Sequence, residues 1–140
     1  MTAKITVGWR EWLSLPELGI EKVKAKIDTG ARTSCIHVLN IEEYEVDGEK
    51  WVKFITQPLQ EDEETQVVCN AKVKKKKHVT SSGGQKELRY FIETTLHAGK
   101  YSWPIEITLT SRATMKFRML LGRTAMENRI VVDPALSHLL

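Results

Sequence analysis

Three consecutive residues, Asp28-Thr29-Gly30, carry the most pointed chemical suggestion in the chain. A carboxylate can take a proton as general base or, once protonated, give one as general acid. It can equally be a plain turn former whose oxygens accept backbone N–H groups two residues on. The flanking pattern favours the first use. Val23, Ala25 and Ile27 alternate with Lys22, Lys24 and Lys26, which reads as a half-buried strand that stops on the acid. A second pattern, Ser34 to Leu39, follows at once, so the turn belongs inside the fold rather than at a rim. Asp133 is the other carboxylate weighed as an intramolecular partner, but it precedes Pro134 and reads as a turn residue.

Other chemistries find little footing. There is no H-E-x-x-H helix for zinc and no G-x-x-x-x-G-K-[ST] loop for ATP phosphates. His37, His78, His97 and His138 are scattered without ligand spacing, and Cys35 and Cys69 read as reduced, buried thiols. The sequence supports no cofactor.

The elements that must hold Asp28 are mostly strands. Ile5, Val7 and Trp9 alternate over Thr2 to Trp9. Tyr44–Val46 and Trp51–Ile55 flank Asp47-Gly48, a strong short-range hairpin signal. A longer hairpin runs from Leu88 to Leu96, turns at Ala98-Gly99 and returns from Trp103 to Leu109. Met119-Leu120-Leu121 before Gly122, and Ile130-Val131-Val132 before Asp133-Pro134, read as short buried strands. The one helical signal is Thr124 to Glu127, with Thr124 as N-cap and Glu127 three residues on. Gln60 to Thr65 and Thr80 to Gln85 read as loops. The expectation is a single mainly β domain over residues 1–140, closed or sandwiched, with one short helix near the C-terminus.

Composition sets the outer limits. With 140 residues, 41% hydrophobic and 28% charged, the chain can bury a real core. No apolar run approaches the roughly 20 residues of a membrane span, and no secretory signal opens the chain, so the expected location is the cytoplasm. Net charge is +3, with acid gathered at Glu61-Asp62-Glu63-Glu64 and base at Lys74 to Lys77. Each run suits a solvated loop or strand edge, and the basic one could also steer an anionic partner. Nucleic acid is disfavoured, because aromatic platforms are not interleaved with the base.

"DTGARTS" followed by "LLGR" resembles the retropepsin fold, an aspartic protease closed β-barrel. The wider set "KIDTGARTSCIH", "VTSSGG", "ITLTSRATMKFRMLLGR" and "IVVDPALSHLL" is similar to one bacterial and archaeal family within it. That family is labelled an ATP-dependent zinc protease and is often encoded beside ATP-grasp ligases that add glutamate tails to ribosomal protein. The resemblance implies that Asp28 is catalytic, that Thr29 locks the turn across a dimer and that Gly30 allows close approach. Such enzymes need two carboxylates sharing one proton, so a chain with one D-T-G implies a homodimer. The resemblance also makes Ser81, Ser82, Gly83 and Gly84 the candidate flap.

Lys26, Arg32, Arg89, Arg112 and Arg123 lie in or beside these motifs, with Lys74 to Lys77 leading into the flap and His37 a few residues past the acid. Arginine offers a fork for carboxylates, which need partners when desolvated. Together with the ligase link, these residues suggest a peptidase for glutamate-rich tails. The alternative is a non-catalytic β-barrel module that binds acidic peptide or a partner ATP-grasp ligase.

Overall fold

Asp47 and Gly48 both adopt positive φ, at 52° and 80°, which is the turn that closes a two-residue hairpin without splaying its strands. They join Ser34–Val46 to Glu49–Thr56 with Val46 opposite Glu49, as the alternation predicts. The computed structural model describes residues 4–59, 64–80, 83–110 and 117–140. Among them the strands are β1 (Ile5–Val7), β2 (Arg10–Leu15), β3 (Ile20–Ile27), β4 (Ser34–Val46) and β5 (Glu49–Thr56). Then come β6 (Val67–Thr80), β7 (Lys86–Ala98), β8 (Tyr101–Thr110), β9 (Met119–Leu121) and β10 (Ile130–Val132). One short helix, α1 (Arg123–Met126), and a 3-10 turn at Pro16–Leu18 complete the set. The protein is mainly β, as expected, and none of these helices is long and apolar enough to cross a membrane.

The sheet runs β2-β3-β9-β4-β5-β6-β7-β8 and returns on itself, since β2 also meets β7 at Ser14 and His97, and β4 also pairs β8. A bulge in β4 explains how one strand serves two neighbourhoods. Ser34 to His37 lie between β8 and β9, whereas Val38 onward pairs β5, with the register shifting between Leu39 and Glu42. Phe54, Ile36, Ile92, Leu96, Ile107 and Met119 are fully buried in one continuous core.

The key topological feature is β9. It sits between β3 and β4, parallel to the first and antiparallel to the second, so residues 28–33 must arch over its end to connect them. Gly122, directly after β9, passes so close beneath that arch that a Cβ there would lie 2.6 Å from the Thr33 carbonyl carbon and 2.9 Å from the Ser34 nitrogen. Its N–H donates to Ser34 Oγ at 3.0 Å.

Several elements differ from expectation. The long hairpin turns at Gly99-Lys100, with Ala98 still paired to Tyr101. The helix starts at Arg123 on Gly122, with no side-chain cap, and Thr124 is not the N-cap. The first free N–H groups of that turn are satisfied instead by the arch: Arg123 N donates to Ala31 O and Thr124 N to Arg32 O. Lys74 to Lys77, expected in a loop or at a strand edge, take the strand setting within the 14-residue β6. The expected loop at 60–65 falls mostly outside the described residues, as do Ser81 and Ser82 of the one expected at 80–85, where Thr80 ends β6 and Gly83 lies in a turn.

At the N-terminal end the expected strand ends at Val7 and β2 begins at Arg10. The break has a cause. Residues 133–140 cross there, with Trp9 N donating to Leu136 O at 2.8 Å. A Cβ on Gly8 would collide with that same carbonyl, at 2.2 Å. Glu11, fully buried, fastens the crossing by accepting N–H groups from Gly8 at 2.7 Å, Leu139 at 2.9 Å and Leu140 at 3.0 Å.

Two outcomes follow. Glu11→Ala strands those three donors and lowers stability by about 3 kcal/mol, read as a lower urea midpoint at unchanged slope. An unchanged midpoint would mean the tail crossing is held by something else. Gly122→Ala drives a methyl into backbone that cannot swing aside, and costs at least about 2 kcal/mol in the same assay.

Candidate functional site

β3 delivers Asp28 to the top of the arch. Its N–H donates to Leu121 O at 2.9 Å, which extends the β3–β9 pairing by one bond. Asp28 Oδ1 accepts the Gly30 N–H at 3.0 Å, and the Ala31 N–H donates back to the Asp28 carbonyl at 3.3 Å. A Cβ at position 30 would stand 3.2 Å from that carboxylate oxygen, so glycine keeps the approach open. Arg123 ties the arch from below, donating from Nη1 to Thr29 O at 3.1 Å and Gly30 O at 3.3 Å. The carboxylate is therefore oriented by backbone and left half-buried.

Asp28 opens into a cleft of about 930 Å³. Arg32 and Gly30 line it from the arch, Lys75 and Lys77 from β6, and Arg89 from β7. Lys75 and Lys77 share a strand face by alternation. Lys74 joins them because the register shifts between Val73 and Lys75, a bulge that turns two neighbouring lysines to one side. Lys76 faces the other way, to Glu43 at 3.3 Å.

The cleft is not uniformly basic. Lys74 Nζ lies 3.0 Å from Glu106 and 3.5 Å from Glu93, while Lys75 is 3.6 Å from Glu106 and 4.8 Å over the Phe91 ring. Burial pushes the Glu106 carboxyl up, but the two lysines outweigh it and hold the group below its ordinary range. The hydrogen bond to Glu106 in turn raises Lys74. Arg89, nearly buried, is engaged by Glu87 at 3.2 Å. Arg32 and Lys77 have no acidic partner among the described residues.

Of the residues singled out from sequence, the structure brings Asp28, Gly30, Arg32 and Arg89 into one cleft. Thr29 is exposed at the arch, and Arg123 acts on the arch rather than on the cleft. Gly83 and Gly84 are exposed at the turn after β6. Ser81, Ser82 and Arg112 lie outside the described residues. Lys26 is not in the cleft: it is exposed on the outer face of β3, opposite Arg10. Asp133 is not there either, since its Oδ1 accepts the Ala135 N–H at 3.0 Å in the tail. Among the described residues no three His, Cys, Asp or Glu side chains gather as a metal site would require. Sequence reasoning missed the inward turn of Lys74, Lys75 and Lys77 and the acids Glu93 and Glu106. Alternation would have selected Lys75 with Lys77, but the bulge at Lys74 leaves no sequence signal.

His37 also stands apart from the cleft. It is 1% exposed, its backbone N–H donates to Arg118 O at 2.8 Å, and its ring Nδ1 has no hydrogen-bond partner among the described residues. Burial, helped by the Arg118 charge, lowers its pKa from the ordinary 6.5. A neutral ring is favoured in the fold, so the unfolded chain binds the proton more readily. Stability is fully present above pH 6.5 and falls as pH drops below that value toward the lowered folded pKa. Thermal melts on the acid side of 6.5 show this slope in wild type and a flatter one in His37→Gln. Equal slopes would remove His37 as the cause.

Comparison with known proteins follows the same lines. Residues 6–139 match the profile of the family described as RimB-like, retropepsin-like aspartic endopeptidase RimB. A probable alpha-L-glutamate ligase of Desulfotalea psychrophila is 48% identical over 134 residues, which is 96% of this chain and 29% of the relative. Probable alpha-L-glutamate ligases of Shewanella pealeana (42%, covering 98% and 30%) and Parasynechococcus marenigrum (46%, covering 99% and 30%) are similar in the same way. The chain thus spans less than a third of the length of these relatives. The crystal structure of a Legionella pneumophila protein of unknown function (DUF785) superimposes with a TM-score of 0.81 at 25% identity, over 98% of each chain. The chain belongs to the RimB-like family of retropepsin-like aspartic endopeptidases.

Proposed function

We propose that this chain is an aspartic-type peptidase that hydrolyses peptide bonds in acidic, glutamate-rich tails, with a catalytic dyad formed by Asp28 from two copies. One observation carries the reading: a backbone-oriented, half-buried Asp28 opens into a cleft whose Arg32 and Lys77 have no acidic partner among the described residues. Unpaired cations beside an acid suit a substrate that brings its own carboxylates.

The chemistry needs two carboxylates. Within one chain the other acids lining the cleft, Glu93 and Glu106, are engaged by Lys74. A second Asp28 from a partner copy supplies the missing group. One carboxylate takes a proton from water, whose oxygen adds to the scissile carbonyl carbon. The protonated carboxyl gives its proton to the carbonyl oxygen. The tetrahedral diol then collapses: the carboxyl that took the water proton gives it to the amine nitrogen, the C–N bond breaks, and one diol hydroxyl returns its proton to the other carboxylate. Thr29, exposed on the arch, would bond across the pair. Residues 81–84 would close over substrate, and Arg32 and Lys77 would receive glutamate side chains.

The ligase names of the relatives support a paired role, in which a ligase extends a glutamate tail and this domain trims it, on ribosomal protein or another tailed substrate in the cytoplasm. The second reading is a non-catalytic module that binds the tail or the ligase. A chain that stays single, with one Asp28, favours it.

Wild type and Asp28→Asn are compared on a poly-α-glutamate peptide across pH by mass spectrometry, with light scattering on the same samples. The expected result is cleavage by a wild-type dimer and a loss of at least about a thousandfold in kcat for Asp28→Asn. Tight binding without cleavage by either protein would select the binding module. Neither binding nor cleavage would remove the acidic tail as substrate.

A further inference from the structure

A second cationic surface lies outside the cleft, on the outer face of the β2–β3 hairpin. Alternation turns Arg10, Trp12 and Ser14 of β2 outward, and Lys22, Lys24 and Lys26 of β3 beside them. The pairing sets Arg10 opposite Lys26 and Trp12 opposite Lys24. None of these residues lines the cleft.

We propose that this face is an anion-binding exosite that captures the acidic tail of the substrate ahead of the cleft. The inference rests on the peptidase reading and adds to it where the tail is held. Its first support is charge without compensation. Among the described residues Lys50, Lys72, Lys74 and Lys76 each contact a glutamate, whereas Arg10, Lys22, Lys24 and Lys26 contact none. The acids nearest in sequence leave these cations unpaired. Glu11 points inward to the tail crossing, Glu17 accepts the Thr95 N–H, and Glu21, exposed beside Lys22 where the register shifts, forms no ion pair among the described residues. Like charges this close repel one another, a cost that an anion relieves.

The second support is that the cations are held in place. Lys22 and Lys24 place their ammonium groups 4.2 Å and 5.0 Å from the centre of the Trp12 ring, and Arg10 lies 4.6 Å over Trp9. A ring face attracts a cation without neutralising it, so the charges stay available to a carboxylate. His138 stacks on Trp12 from the tail, with ring centres 6.4 Å apart.

The third support is direction and spacing. Alternate residues on a strand repeat at about 7 Å, which is also the repeat of side chains on one face of an extended peptide. Lys22, Lys24 and Lys26 therefore match an extended run of glutamates tooth for tooth, on the strand that leads into Asp28. A nucleic acid would also meet the charge, but the ring on which a base would stack is already occupied by two ammonium groups and an imidazole.

The test uses poly-α-glutamate peptides of two lengths, about twelve residues, which reach about 40 Å, and about four, which fill only the cleft. Wild type is compared with Lys22→Glu/Lys24→Glu and with Lys22→Arg/Lys24→Arg. The expected result is a KM for the long peptide raised about tenfold in the charge-reversed protein, with kcat unchanged. The short peptide should behave as in wild type, and the arginine variant should retain wild-type KM on both. An equal effect on both lengths, or on neither, overturns the exosite. If wild type cleaves neither peptide, the peptidase reading falls. Anisotropy of the labelled long peptide then decides the exosite alone: binding lost on charge reversal sustains it, and unchanged binding overturns it. A single-stranded RNA of matching charge that binds more tightly than the peptide at the same salt, and loses that binding in the charge-reversed protein, overturns the acidic tail as occupant.

Discussion

The contact between two backbones at Gly122 governs the arrangement of the site. β9 can lie between β3 and β4 only if the chain leaving it passes directly under the arch that joins those strands, and only a residue without a side chain fits. Once it does, the other bonds fall into place. Ser34 Oγ receives the Gly122 N–H, the first turn of α1 uses the arch carbonyls as its caps, and Arg123 reaches back to Thr29 and Gly30. Asp28 is thus held by a frame made almost wholly of backbone, which tolerates little motion and needs few particular side chains.

Around this rigid acid the charges are arranged in two different ways. Inside the cleft, Lys74 and Lys75 are already matched by Glu106 and Glu93, while Arg32 and Lys77 are not. On the outer hairpin face Arg10, Lys22 and Lys24 lie over aromatic rings and pair with no carboxylate among the described residues. The first arrangement fixes geometry at the cost of net charge, and the second keeps net charge while fixing geometry. Exposed pairs of this kind add little to folding stability, so their distribution is better explained by what they contact than by what they stabilise.

Much of this was legible in the sequence wherever the signal was local. Asp47-Gly48 named its own turn, the alternation of Leu88 to Leu109 named the long hairpin, and Asp28-Thr29-Gly30 with Leu120-Leu121-Gly122 named the acid-bearing arch. β2 escaped because its inward row reads Glu11, Leu13, Leu15, and a buried acid spoils the hydrophobic period that marks a strand. Glu11 belongs inside only because the tail, more than a hundred residues away, brings N–H groups to it. The helix cap was misjudged for a like reason: the N–H partners of Arg123 and Thr124 come from the arch, and Thr124 itself had the ordinary composition of a cap. Which lysines of β6 face the acid depended on a bulge that no residue type announces.

The bonds that frame Asp28 also carry a consequence for the order in which the chain becomes competent. Asp28, Thr29 and Gly30 leave the ribosome well ahead of the residues that frame them, because the Gly122 bond to Ser34 and the Arg123 bonds to Thr29 and Gly30 span separations of 88, 94 and 93 residues. Contacts that distant in sequence close loops at an entropic cost that the local hairpins do not bear. A nascent chain that has not yet delivered β9 therefore carries Asp28 with no frame to orient its carboxylate.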